Sequence, residues 1–184
     1  MMDIIGALNH YLLPSMEIAL LIWGIWFIFC LVLRKKGSYL EWGGRFLLLT
    51  SLAGIVFLTD AYKVFLDGFP KFFMAPNLVP VFYSVQSLIE NPVVSIAQMG
   101  YNVILFAPVG FLLPVSFSKY RWNWWKVLLI SLVMAGIIEG LEYCSGRYMD
   151  IDDFVFNCSG TWIGYFVYTR ICLWWQAREF GSKQ

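Results

Sequence analysis

Five stretches of this sequence run for about 20 residues each with few charges, and that pattern leaves the lipid bilayer as the solvent in which the chain can fold. At about 1.5 Å of rise per residue, ~20 apolar residues make a helix as long as the hydrocarbon core is thick. The stretches cover residues 14–33, 44–65, 96–117, 124–143 and 153–175, with soft boundaries. In lipid every backbone N–H and C=O has to be satisfied within its own segment, so each is expected to be helical. The expected architecture is an all-α, polytopic membrane bundle of about five transmembrane helices, a single domain over residues 1–184. A hydrophobic fraction of 60% with a mean hydropathy of +0.68 excludes an ordinary water-soluble globule.

Local features refine the picture. Pro108 and Pro114 remove backbone donors and are expected to kink or shorten the third helix. Met1-Met2-Asp3 offers no basic leader, and Arg34-Lys35-Lys36 follows the first stretch where a cleavage site would have small residues, so that stretch is expected to stay as an anchor. Trp122, Trp124, Trp125, Trp174 and Trp175 suit the aromatic belts at headgroup level. Cys30, Cys144, Cys158 and Cys172 stand singly, without metal-ligand spacing, and read as small packing residues; a Cys144–Cys158 pair is the less favoured alternative.

Basic residues set the orientation. Arg34, Lys35, Lys36 and Arg45 mark the first connection, Lys119, Arg121 and Lys126 the third, and Arg170, Arg178 and Lys183 the C-terminal end. The second connection has Lys71 and the fourth has Arg147. Rich and poor segments alternate, which places the N-terminus outside and the C-terminus in the cytoplasm. The second connection, residues 67–95, is long and carries Pro76, Pro80 and Pro92, yet it is too apolar for disorder. It is expected to be a lid on the outer surface or an interfacial anchor. Gly136 with Gly140, and Gly160 with Gly164, have the small-xxx-small spacing that supports tight packing of the last two helices without specifying a partner. No nucleotide-binding glycine loop or nucleic-acid patch is present.

With this topology the polar residues inside the apolar segments gather at the outer side. Glu139 lies about 22 Å along the fourth helix, and Glu142, three residues on, shares its face. Asp153, Asn157, Gly160 and Gly164 follow a helical rhythm on the fifth, which Asp150 would join if that helix began a turn earlier. Asn102 is shallow on the third helix, and Asp60 and Lys63 end the second. Each has a plainer role available: an Asp60–Lys63 helix-end salt bridge, interhelical hydrogen bonding for Asn102 and Asn157, charge neutralisation for Arg147, and a solvated cap for Asp152. Glu139 resists a plain role most, because a carboxylate among Ala135, Gly136, Ile137, Ile138, Gly140 and Leu141 should carry its proton or hold a fixed partner.

Asn102-Val-Ile-Leu-Phe106-Ala-Pro108-Val-Gly110-Phe, then Glu139, then Arg147-Tyr-Met-Asp150-Ile-Asp152-Asp153, then Asn157, Gly160 and Gly164, resembles the VanZ-like family of bacterial membrane proteins. The resemblance is strongest over residues 97–168; the first two helices match only in hydrophobicity. Glu142 stands where the family commonly has Gln, which adds a negative charge. The family's named member is associated with low-level resistance to teicoplanin-type glycopeptides. The resemblance thus implies a multi-pass protein of the bacterial cell membrane that contributes to lipoglycopeptide resistance, the antibiotic itself being an indirect partner.

Two functional readings follow. In the first, an outward-facing acidic cavity built from Asn102, Glu139, Glu142, Arg147, Asp150, Asp153 and Asn157 binds or modifies a membrane lipid or lipid-linked cell-wall precursor. In the second, the protein is an intramembrane enzyme acting on a lipid-linked phosphate: Asp150, Asp153 and Glu139 hold a divalent cation, Arg147 reads the phosphate and Glu142 acts as base. Ser145 and Ser159 lack a histidine partner, since His10 is the one histidine in the chain. A proton or ion pathway through Glu139 is a third, weaker expectation.

Overall fold

The computed structural model describes residues 38–70 and 75–181, together with Leu20, Leu21, Trp23, Gly24, Ile25 and Ile28 of the first apolar stretch. The described residues form helices and connections, with a single isolated bridge between Asn77 and Asp150. Among the described residues three helices are long and apolar enough to cross a membrane: α1 (Tyr39–Leu58), α4 (Pro92–Ser116) and α5 (Trp124–Cys144). Two shorter helices, α2 (Lys63–Asp67) and α3 (Phe82–Glu90), lie between α1 and α4. The chain ends in α6 (Ile151–Gly181), whose 31 residues give it ample length, while Asp152, Asp153, Asn157 and Thr161 make its first turns polar. The 14–33 helix, the N-terminal topology, Cys30, His10, Lys71 and Lys183 fall outside the described residues, apart from the six named. Trp23 among those six donates its indole N–H to Trp42 O at 3.1 Å and meets Phe46 edge-on.

Several boundaries differ from expectation, each for a local reason. The second stretch begins at Tyr39, five residues before Gly44, because Ser38 caps it by accepting Glu41 N–H at 3.2 Å. It stops at Leu58 instead of near Phe65, where Asp60 takes a positive φ of 59°. The third stretch is neither broken nor shortened by its prolines: α4 runs for 25 residues through Pro108 and Pro114, starting with Pro92 at its first turn. At the start of α5, Asn123 accepts the Lys126 N–H. The same helix ends in a Schellman turn, Gly146 N–H to Tyr143 O and Arg147 N–H to Glu142 O, both 3.0 Å, with Gly146 at φ 89°.

The centre of the bundle is α4, which packs against α1, α3 and, most extensively, α6. Its buried side chains Phe106, Val109, Leu112 and Leu113 meet Leu48 and Ile55 of α1 and Ile138 of α5. The glycine stripe of α6 serves this pairing and not a pairing with α5. A Cβ on Gly160 would collide with Val103 O, one on Gly164 with Ala107 O, and one on Gly110 with Thr161 O. Gly140 has nothing within 4 Å of that position and Gly136 only the Phe154 ring at 3.7 Å, so the α5 pair is not a close-packing site. Leu47, Ile104, Leu129, Val133, Ile137 and Ile163 stay exposed on the outer faces of the bundle, as suits helices surrounded by lipid.

The two ends of the bundle differ in charge. Arg45 donates to Ser116 O at 3.0 Å and lies 3.8 Å from Glu41, which Ser118 also contacts; Lys119, Arg121 and Lys126 follow in the same turn region. The opposite end carries the carboxylates.

Candidate functional site

At that opposite end the chain must bring the C-terminus of α5 and the N-terminus of α6 together through a six-residue connection, and this places every candidate carboxylate within reach of one space. Glu139 and Glu142 stand on one face of α5, 1% and 6% exposed. The Schellman turn then swings Arg147 back, its Nε 3.8 Å from Glu142 Oε2 and its Nη1 donating to Thr59 O at 3.0 Å. Asp153, two residues into α6, accepts from Asn102 Nδ2 at 2.6 Å; Asn157, one turn further, donates to Glu139 Oε1 at 3.1 Å. The plain and functional roles of these amides therefore coincide: they tie α4 to α6 and α6 to α5, and each does so by orienting a carboxylate.

Together these residues line a cavity of about 1060 Å³, with Thr59, Ser84, Ser87, Glu90, Gln98, Gly146 and Asp150 also in its wall. Asn102, Glu139, Glu142, Arg147, Asp150, Asp153 and Asn157 are all in it. Asp60 and Lys63 are not; they form their own salt bridge at 3.0 Å, the plain reading. Glu139 Oε2 and Asn157 Oδ1 are buried and have no hydrogen-bond partner. A buried acceptor left in that state costs about 1–3 kcal/mol.

Asp152 requires a correction. It is not a solvated cap but is 6% exposed, and it accepts Val81 N–H at 2.8 Å and the Ser84 hydroxyl. Its departure from the helical stripe, which argued for solvent, turns it toward the long connection. Val81 sits in the left-handed region at φ 68°, a conformation a β-branched residue adopts only under constraint. Asp152 supplies that constraint and holds the start of α3. Asn77 adds a second tether: its backbone pairs with Met149 O and the Ile151 N–H, and its side-chain amide reaches Asp150 Oδ1 at 2.9 Å. Neither Asn77 nor Ser84 is singled out by the sequence, since Asn77 lies in an irregular segment and nothing in the sequence says which neighbour the short helix carrying Ser84 packs against. The described part of the long connection is thus a strap, with Ser84, Gln86, Ser87 and Glu90 of α3 in the cavity wall. Phe72, Phe73 and Met74 lie outside the described residues.

The charged chemistry available is that of several carboxylates and one guanidinium, beside neutral hydroxyl and amide groups. Glu90, Glu139, Glu142, Asp150 and Asp153 face the cavity, with Arg147 as the single base in its wall among the described residues. The divalent-cation expectation does not fit this arrangement. Among the described residues no three of His, Cys, Asp and Glu are placed to hold a metal. One oxygen of Asp150 is engaged by Asn77 and one of Asp153 by Asn102. Cys144 and Cys158 are free thiols, unpaired.

A family model described as VanZ/LLP1 matches residues 45–174, which takes in most of α1, most of α6 and every residue of the cavity wall. No curated protein and no solved structure matches the chain.

Proposed function

The chain belongs to the VanZ/LLP1 family of membrane proteins, and on that premise we propose that it binds the headgroup of an envelope lipid or lipid-linked cell-wall precursor in an outward-facing acidic cavity. The observation that carries this reading is the convergence of Asn102, Glu139, Glu142, Arg147, Asp150, Asp153 and Asn157 on one cavity at the end of the bundle remote from Arg45, Lys119, Arg121 and Lys126. The orientation rests on the positive-inside rule: five spans, N-terminus outside and C-terminus cytoplasmic, with the cavity toward the outer leaflet. Charged and amide side chains at membrane depth face a protein interior or water, and polar groups so placed mark ligand pathways. Occupying or altering an envelope lipid would change the access of a lipoglycopeptide to its target, the resistance role that family membership implies.

The test is native mass spectrometry of the protein extracted from its own membranes, beside the variant Asp153→Asn. The wild type is expected to retain a lipid that the variant loses, at equal helical content and melting temperature. Identical lipid occupancy in the two would sink the reading. The resistance role is tested separately, by teicoplanin susceptibility of a sensitive host expressing either form.

A further inference from the structure

The floor of the cavity specifies its ligand more narrowly than its charge does. Glu139 Oε2 and Asn157 Oδ1 are two buried acceptors without donors, on side chains 1% and 3% exposed, and both residues open onto the cavity. They ask for a ligand atom that donates at least two hydrogen bonds. The surrounding Glu90, Glu142, Asp150 and Asp153 favour positive charge on that atom. A primary ammonium has three N–H donors and a full charge, so it meets both demands. At the mouth the sign reverses: Arg147 is 49% exposed and gives one N–H to Thr59 O, leaving further donors of its fork for an anion. Glu142 stands between the two, 3.8 Å from Arg147 and one turn from Glu139. The cavity wall also includes Val93, Val94 and Tyr101 on the exposed side of α4, 80%, 56% and 42% exposed. On a membrane-spanning helix that side faces acyl chains.

We propose that the cavity takes the zwitterionic headgroup of an aminophospholipid, a phosphate diester joined by a short linker to a primary ammonium. The ammonium sits on Glu139 and Asn157, the phosphate lies against Arg147, and the acyl chains pass out over Val93 and Val94. The inference rests on the proposed lipid-binding function and narrows its ligand. A headgroup with phosphate and no cation meets the acidic wall unfavourably. A trimethylated ammonium keeps the charge but has no N–H to give.

The experiment titrates the purified full chain in detergent with lysophosphatidylethanolamine, lysophosphatidylcholine, lysophosphatidylglycerol and soluble phosphoethanolamine. Lysophosphatidylethanolamine is expected to bind at least about tenfold more tightly than the choline and glycerol forms, the scale of one lost charge-assisted hydrogen bond, and at least about tenfold more tightly than soluble phosphoethanolamine, which has no acyl chain to bury. Glu139→Gln should abolish the preference over lysophosphatidylcholine without lowering the melting temperature, since its amide can donate to Asn157 Oδ1 within the protein. Arg147→Gln should weaken all three lysolipids alike and leave the preference in place. Equal binding of the ethanolamine and choline forms, or a preference that survives Glu139→Gln, overturns the ammonium assignment while the lipid-binding function stands. Soluble phosphoethanolamine binding as tightly as its lysolipid overturns the lipid source. Binding of none of the four overturns this inference and removes phospholipids from the proposed function.

Discussion

Replacing Asp152 with Ala should release the strap over the cavity and leave the bundle intact. The side chain accepts two hydrogen bonds from the strap, Val81 N–H at 2.8 Å and the Ser84 hydroxyl, and it is 6% exposed. Hydrogen bonds to a charged partner contribute about 1.5–3 kcal/mol each, so the two hold α3 with roughly 3–6 kcal/mol. Against this stands the left-handed conformation of Val81, which costs about 1–2 kcal/mol and relaxes once its N–H is free. The net loss is about 2–4 kcal/mol of local stability. Opening is confined to the strap, because the pairing of Asn77 with Met149, Asp150 and Ile151 does not involve Asp152 carboxylate oxygens. Amide hydrogen exchange over residues 82–90 should therefore accelerate roughly 30- to 1000-fold, while α4 and the body of α6 exchange as in the wild type. Unchanged exchange over 82–90 would refute the anchoring role of Asp152. Acceleration spread evenly over the helices would show that the strap is an integral part of the bundle.

Gly164→Leu should destabilise the protein in detergent by about 1–3 kcal/mol or more, read as a lowered melting temperature, since the new side chain meets the Ala107 carbonyl and Phe111 N, backbone that cannot yield; Gly140→Ala, with nothing within 4 Å, should be nearly silent. Lys63→Ala should change stability by about 0–1 kcal/mol, because its bridge to Asp60 is partly exposed and stands outside the cavity wall. Thiol titration under denaturing, non-reducing conditions should find Cys144 and Cys158 both reactive, and a protected pair would contradict the free thiols at these positions.

Much of the site could be read in the sequence because helices in lipid leave few places for a carboxylate. Glu139, Glu142, Asp153 and Asn157 lay on helical faces whose periodicity is strict, so their convergence followed from topology. Asn102 could be placed at the same depth by counting from the ends of its helix. What escaped lies where periodicity stops. Asp152 breaks the α6 stripe and so looked solvated, when its true partner was a loop that no pattern could position. Asn77, Ser84 and Thr59 act through a backbone pairing, a hydroxyl and a carbonyl, and none of these leaves a signature in residue type. The glycine spacing pointed to close packing without naming the neighbour, and only the α6 pair uses it. Gly160 and Gly164 admit a close backbone, but the same spacing serves any neighbour, and here that neighbour is α4. The prolines of α4 do not shorten it: the helix continues past both Pro108 on its exposed side and Pro114 in the core.

The central claim is that the acidic cavity opens to the outer face of the membrane, and side-specific labelling tests it most directly. Gln86 lies on the strap, exposed and in the cavity wall, away from the buried carboxylates. In a chain freed of its four native cysteines, Gln86→Cys should react with a membrane-impermeant maleimide added to intact cells, and added aminophospholipid headgroup should slow that reaction. Reaction in inverted vesicles alone, with intact cells protected, would place the cavity on the cytoplasmic side and contradict the account.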